Sequence, residues 1–186
     1  MRKTKKIILG LAGEIAAGKD TVAAYLKKKY GAETISFSVP IRDILDRMHL
    51  PQTRHNMYSL GTDLRMRFGQ DILAKVITGD VIESRARIIT LPNIRLAQDI
   101  TYLKKVPGFH LVAIDADPKI RFQRLKKRGQ NPDDRNKTWP QFLRDAKLYT
   151  EIHIKGLMKK APHRLDNNGS FADLYRQVEE LLKKLK

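Results

Sequence analysis

Cysteine is absent from the 186-residue chain, which excludes disulfide staples, thiolate nucleophiles and cysteine-ligated metals and fits a cytoplasmic protein. The histidines, at 49, 55, 110, 153 and 163, share no metal-ligand spacing, so a zinc centre is not expected. No apolar run approaches the ~18 residues that a bilayer span needs, and no membrane partner is expected. The basic start, MRKTKK, resembles the opening of a signal peptide. The apolar run behind it is broken by Gly10, Gly13 and Glu14, and it reads better as the approach to a first strand. Internal repeats and low-complexity segments are also missing.

Acidic residues are scarce. Twenty Asp and Glu face 37 Lys and Arg, a formal net charge of +17. A field that positive favours polyanions, either nucleic acid or a site for highly charged nucleotides. The lysines are scattered, and no aromatic-and-basic strand pair offers a base-stacking platform, so nucleic acid is the less favoured partner. At 21.4 kDa the chain is the size of one domain, 1–186, with room for a substantial core.

What the sequence does have is concentrated in Lys5 to Ala23, KKIILGLAGEIAAGKDTVA. An apolar run from Ile7 to Leu11 leads through a glycine-bounded loop into a helix-periodic segment ending at Tyr30. The spacing G-x-x-x-x-G-K matches a P-loop, in which successive backbone N–H groups wrap phosphate oxygens and the new helix points its positive end at them. Gly13, Ala16, Ala17, Gly18, Lys19, Asp20 and Thr21 are the candidate ATP-binding residues. The strict pattern has Ser or Thr directly after the lysine to reach Mg2+. Here Asp20 stands there and Thr21 follows, so both are candidate metal contacts, direct or through water; the plainer role for Asp20 is an acid in a helix first turn.

Further along, strands are expected at 34–37, 87–91, 109–114 and 163–165. Helices are expected at about 39–48, 59–77, 97–105, 118–128, 139–158 and from 171, the last burying Phe171. Gly61 and Gly69 interrupt the 59–77 pattern, which implies either close packing there or a break between two helices. The helices before and after the polar stretch 130–137 are expected to project from the core. Strands alternating with helices predict a three-layer αβα sandwich on a mostly parallel sheet of about five strands, with ligands at the carboxyl ends of the strands. That rule brings the P-loop, Ser38 to Arg42, Pro92 to Arg95 and Asp115 to Asp117 to one cleft.

A P-loop in a chain this short points to phosphoryl transfer, which needs positioning and positive charge more than proton transfer. Lys19 is the first candidate catalytic group. Arg121, Arg124 and Arg128 share a helical stripe, with Arg135 on the polar joint beyond; they serve either as a lid over the transferred phosphate or as a solvated face. Ser38, Arg42, Arg65 and Arg95 are candidate acceptor contacts. Asp99 either orients Arg95 or faces solvent.

The run GEIAAGKDTVA resembles the loops of deoxynucleoside monophosphate kinases and of the dephospho-CoA kinase-like and adenylate kinase-related groups. FS at 37–38, RDIL at 42–45, LGT at 60–62 with Arg65, IDADPKIRFQRLKKRG at 114–129 and DNNGSFADLYRQVEELL at 166–182 extend the likeness over nearly the whole chain. The sequence as a whole thus resembles the nucleoside monophosphate kinase-like P-loop kinases. The resemblance implies a helical lid over 121–138 and an acceptor-binding helical segment over 39–80. It also implies an ATP- and Mg2+-dependent phosphotransferase acting on a nucleoside or deoxynucleoside monophosphate, with dephospho-CoA as the second acceptor. In that family the third strand tip commonly reads Asp-Gly-x-Arg. Here it reads Pro92-Asn93-Ile94-Arg95, which keeps the arginine and lacks the acid. Either Asp20, Asp115 or Asp117 stands in for the missing carboxylate, or the protein is a nucleotide-binding regulatory or RNA-associated protein with weak or no transfer.

Overall fold

The computed structural model describes residues 6–128, 134–147 and 149–185. Its core is a five-stranded sheet, β1 (Ile7–Ala12), β2 (Glu33–Thr34), β3 (Ile88–Leu91), β4 (Phe109–Asp115) and β5 (His163–Asp166), in the order β2-β3-β1-β4-β5 with every pairing parallel. This is the three-layer P-loop architecture expected from the alternation of strands and helices. The central strand β1 is buried along its whole length, which is why it reads as an unbroken apolar run and not as an alternating one. Ile7, Leu9 and Leu11 enter one core layer, beneath α1 (Lys19–Tyr30) and α8 (Phe171–Leu185). Ile8 and Ala12 enter the opposite layer. There they meet Ile77 and Val81 of α4 (Ile72–Glu83) and Ile154, Leu157 and Met158 of α7 (Tyr149–Lys160).

A third, smaller cluster joins α2 (Val39–Arg47), α3 (Arg54–Phe68) and α4 through Ile41, Leu45 and Leu73. The helix expected over 59–77 is therefore two helices. Thr53 accepts the Asn56 N–H and starts α3 five residues early, and the chain breaks at Gly69, which has φ 101°. Gly61 stays inside α3, with Ile41 Cδ1 3.1 Å from where its Cβ would be, so each of the two explanations holds at one glycine. Three other expectations are corrected. Residues 97–105 form two 3-10 turns, because the Asp99 carboxylate ties down the N–H groups of Arg95 and Leu96. The 139–158 helix divides into α6 (Trp139–Asp145) and α7. Strand β2 ends at Thr34, although Ile35 N–H still donates to Thr90 O.

The helix α5 (Pro118–Arg128) does not project from the core. Its Arg121 and Leu125 are buried, and Phe122 meets Trp139 and Phe142 of α6 at ring separations of 5.4 and 5.5 Å. Residues 129–133 of the expected lid lie outside the described residues. Among the described residues no helix is long and apolar enough to cross a membrane.

At the outer end of α1, Glu179 of α8 accepts from Tyr25 Oη at 2.5 Å, from Lys29 Nζ at 2.8 Å and from Tyr30 Oη. Lys29 foremost, then the two tyrosines, favour the carboxylate and hold its pKa at about 2, against 4.5 in the free side chain. On acidification the unfolded chain therefore takes up this proton first. The pair's stabilisation is complete above the free value and disappears as pH falls to about 2. Glu179→Gln should lower unfolding free energy at pH 7 by about 1–2 kcal/mol in urea titrations. The same variant should show a shallower loss of stability across that acid window than the parent.

Candidate functional site

The P-loop leaves the carboxyl end of β1 and enters α1 through a path that leaves no room for a side chain at Gly13 or Gly18. A Cβ on Gly13 would stand 2.5 Å from Ile114 O, and one on Gly18, which has φ 108°, would stand 2.1 Å from Asn167 Nδ2. Ala16 also takes a positive φ of 59°. Lys19 Nζ bends back over the loop and donates to Gly13 O at 2.6 Å and Glu14 O at 3.0 Å. Glu14 is fixed from below, where the Arg121 guanidinium donates to its carboxylate at 3.0 Å, to Ile15 O at 3.3 Å and to Ala116 O at 3.0 Å. Arg121 is 2% exposed. It braces the loop and does not belong to the lid stripe expected for it.

A cleft of about 820 Å³ opens above the loop, at the carboxyl ends of the strands as the fold rule requires. Of the residues expected there, Gly13, Ala16, Gly18, Lys19, Asp20, Thr21, Arg42, Arg95, Arg124 and Arg128 line it. Ala17 does not; it is buried under the loop, and its carbonyl accepts from Asn167 Nδ2 at 2.7 Å. Four expected contacts also lie outside the lining. Ser38 Oγ is 3.0 Å from Ser36 Oγ, and it is Ser36 that accepts from the cleft residue Asn93. Arg65 turns onto its own helix and donates to Gly61 O. Asp99 holds the backbone of Arg95, not its guanidinium, and burial pushes its carboxyl above the usual value. Arg135 sits exposed in the 134–136 turn.

The strand tips also differ from expectation. Asp115 accepts from its neighbour Ala116 N and Asp117 from Lys119 N, so both carboxylates serve local turns and neither lines the cleft. Pro92 is buried, and the side chain presented after β3 is Asn93. Residues that sequence reasoning missed are Lys127, Ile154, Asn167 and Phe171, while Ile15 and Asn93 lie in stretches expected at the cleft without having been singled out. The position of Asn167 and Phe171 just past β5 was the available signal, since the tips of the other strands had been used. Phe171, expected in the core, is 58% exposed, and its ring stacks on Tyr175, which stacks on Tyr25.

Among the described lining residues six cationic side chains thus face one carboxylate, Asp20, which lies 3.5 Å from Arg128. Arg124 Nη1 is buried without a hydrogen-bond partner, and burial lowers the pKa of this guanidinium, so an anion there would relieve both. Among the described residues no cluster of three or more His, Asp or Glu exists to cage a metal. The Asp20 carboxylate and Thr21 hydroxyl still fit Mg2+, which takes one or two protein oxygens and is otherwise held by phosphates and water.

A family description of the AAA domain matches residues 12–139, from the last residue of β1 to the start of α6. The chain belongs to that family. As an AAA-domain family member it is similar over almost its full length to UPF0200 proteins. That of Thermococcus gammatolerans is 26% identical over 184 residues, covering 96% of this chain and 94% of the relative. That of Methanocaldococcus jannaschii is 27% identical over 181 residues, covering 96% and 90%. Among solved structures it resembles TT1252 from Thermus thermophilus, with TM-score 0.63, 19% identity and coverage of 98% and 99%. It also resembles a shikimate kinase from Acinetobacter baumannii in complex with shikimate, with TM-score 0.56, 18% identity and coverage of 98% and 96%. These likenesses are of fold alone, the P-loop NTPase-like fold that the shikimate kinase shares.

Removing Arg121 would leave the buried Glu14 carboxylate with the exposed Lys155 ammonium, 3.7 Å away, as its counter-charge among the described residues, and would strip the donors from Ile15 O and Ala116 O. Arg121→Ala is expected to destabilise the protein by about 3 kcal/mol, read as a lower urea midpoint, and adding Glu14→Gln should recover part of that loss.

Proposed function

We propose that the protein is an ATP- and Mg2+-dependent kinase whose acceptor is a phosphate group, that of a nucleoside or deoxynucleoside monophosphate. The observation that carries this reading is the composition of the acceptor side of the cleft. Arg42, Arg95 and the Asn93 amide face it, and among the described lining residues no carboxylate does; Asp20 stands on the donor side, in the first turn of α1. Transfer to a hydroxyl profits from a carboxylate that accepts the hydroxyl proton, whereas a phosphate oxygen arrives already charged and needs only to be held. The site therefore favours a nucleoside monophosphate over the hydroxyl of dephospho-CoA or of a sugar-like acid.

In this reading the P-loop amides and Lys19 bind the donor's β and γ phosphates, and Asp20 and Thr21 hold Mg2+, which neutralises phosphate charge when bound. Arg95 and Arg42 grip the acceptor phosphate in bidentate fashion. Arg124, Lys127 and Arg128 take the charge on the transferring group, and Phe171 packs against a nucleoside. The excess of cations in the cleft matches two polyanionic substrates better than one. The net charge of +17 is then a long-range steering field for nucleotides.

A panel of acceptors incubated with labelled ATP tests the proposal. Nucleoside monophosphates should be labelled at least tenfold faster than dephospho-CoA or shikimate, and faster transfer to either hydroxyl acceptor would refute the choice of acceptor. Arg95→Ala should raise acceptor KM by about tenfold or more with little change in kcat, while Arg128→Ala should lower kcat. Steady-state kinetics that show the reverse split would exchange the two roles.

A further inference from the structure

The turn Asp166-Asn167-Asn168-Gly169 after β5 contains one side chain whose duty the transfer chemistry does not explain. Asp166 accepts from Asn168 N at 2.9 Å and Asn168 accepts from Asp117 N at 2.6 Å, so these two build the turn itself. Asn167 points inward, with 2% exposure. Its backbone N–H is spent on Asp115 O at 2.8 Å, which continues the β4–β5 ladder, and its side-chain amide is left to the site.

The two ends of that amide meet different partners. Nδ2 donates to Ala17 O at 2.7 Å, and Oδ1 faces Arg124 Nη2 at 3.5 Å. The orientation is fixed by chemistry, because a carbonyl can only accept and a guanidinium can only donate. In a trans peptide the C=O and the following N–H point in opposite directions, so anchoring Ala17 O on Asn167 sets the direction of the Gly18 N–H, on the lining of the cleft. Contact is close enough that Gly18 has no room for any side chain against Asn167. The other end lies beside Arg124, the guanidinium whose Nη1 is buried and unpartnered.

We infer that Asn167 is a positioning residue of the donor-phosphate site, its amide locking the Ala17–Gly18 peptide with one end and steadying Arg124 with the other. The inference rests on the reading of the loop as a phosphate site. Its consequence is that two anion-binding groups from distant parts of the chain, a loop amide and an arginine, keep a fixed separation before any ligand arrives, which lowers the ordering penalty of binding. The amide must supply one donor and one acceptor, so shape alone does not suffice.

That requirement gives a test that packing alone would not pass. Aspartate keeps the shape of the amide and, ionised, offers acceptors only, while leucine is uncharged and offers neither donor nor acceptor. Binding of inorganic tripolyphosphate is measured by calorimetry at pH 8 for the parent, Asn167→Asp and Asn167→Leu, with the ratio of variant to parent affinity read for each. Both variants should bind about tenfold or more weakly than the parent, the loss expected when a buried carbonyl forfeits its donor. Thermal unfolding of each variant verifies that it is folded, and Asn167→Ser replaces the leucine variant if that one is not. A folded variant that binds within about threefold of the parent overturns the positioning role while leaving the phosphate site intact. A parent that binds no tripolyphosphate overturns the phosphate-site reading, and this inference with it.

Discussion

The ion pair between Glu14 and Arg121 is the constraint on which the site depends. A P-loop is a stretch of backbone most of whose N–H groups are left for a ligand; here Ala17 N–H donates to Glu14 O at 3.1 Å, and the loop has few others with which to hold its own shape. Something outside the loop must do so. Here a guanidinium buried at the start of α5 reaches the loop carboxylate, the next loop carbonyl and the carbonyl of Ala116 at the end of β4. Its fork of donors ties the loop, at the Glu14 carboxylate and the Ile15 carbonyl, to the backbone just past β4, which a lysine's point charge would not do. The Phe142 ring lies 5.4 Å from that guanidinium and seals it from the α6 side, so the aromatic cluster and the loop share one support.

The same helix shows why a stripe of like residues does not share a role. Arg121, Arg124 and Arg128 recur at spacings of three and four and fall along one side of α5, yet the first is buried in the brace, the second is half-buried in the cleft and the third is exposed at its rim. The gradient follows from geometry. The amino end of α5 follows directly on β4, and each further turn advances the helix about 5.4 Å along its axis toward the rim of the cleft, while Leu125 keeps its inner side in the core.

How much of this the sequence disclosed depended on distance along the chain. The loop, its strand and its helix were legible because their residues are neighbours in sequence and their spacing is imposed by backbone geometry. Arg95 and Arg42 were legible because the parallel-sheet rule sends whatever follows a strand tip to one edge. The partner of Arg121 was not, since Glu14 lies 107 residues away, and the partner of Ala17 lies 150 residues away. Its place in the expected middle helix made Arg65 a candidate, but the side chain satisfied itself on Gly61 O within its own helix, a choice that the sequence pattern does not reveal. Phe171 carries the apolar signature of a core residue at the start of an amphipathic helix. It stays exposed because that first turn overhangs the cleft, while Leu174, Val178 and Leu181 meet the sheet.

Lys19 closes over the loop's own carbonyls, a feature with a thermodynamic reading. Two carbonyls of the loop that it crosses hold the ammonium, so its charge is partly dehydrated and the loop's two ends are drawn together beneath it. Under the proposed reading of the loop as a phosphate site, an anion would reach this ammonium by exchange for Gly13 O and Glu14 O and not by capture of a solvated cation, and the lysine's share of ground-state affinity would be correspondingly small.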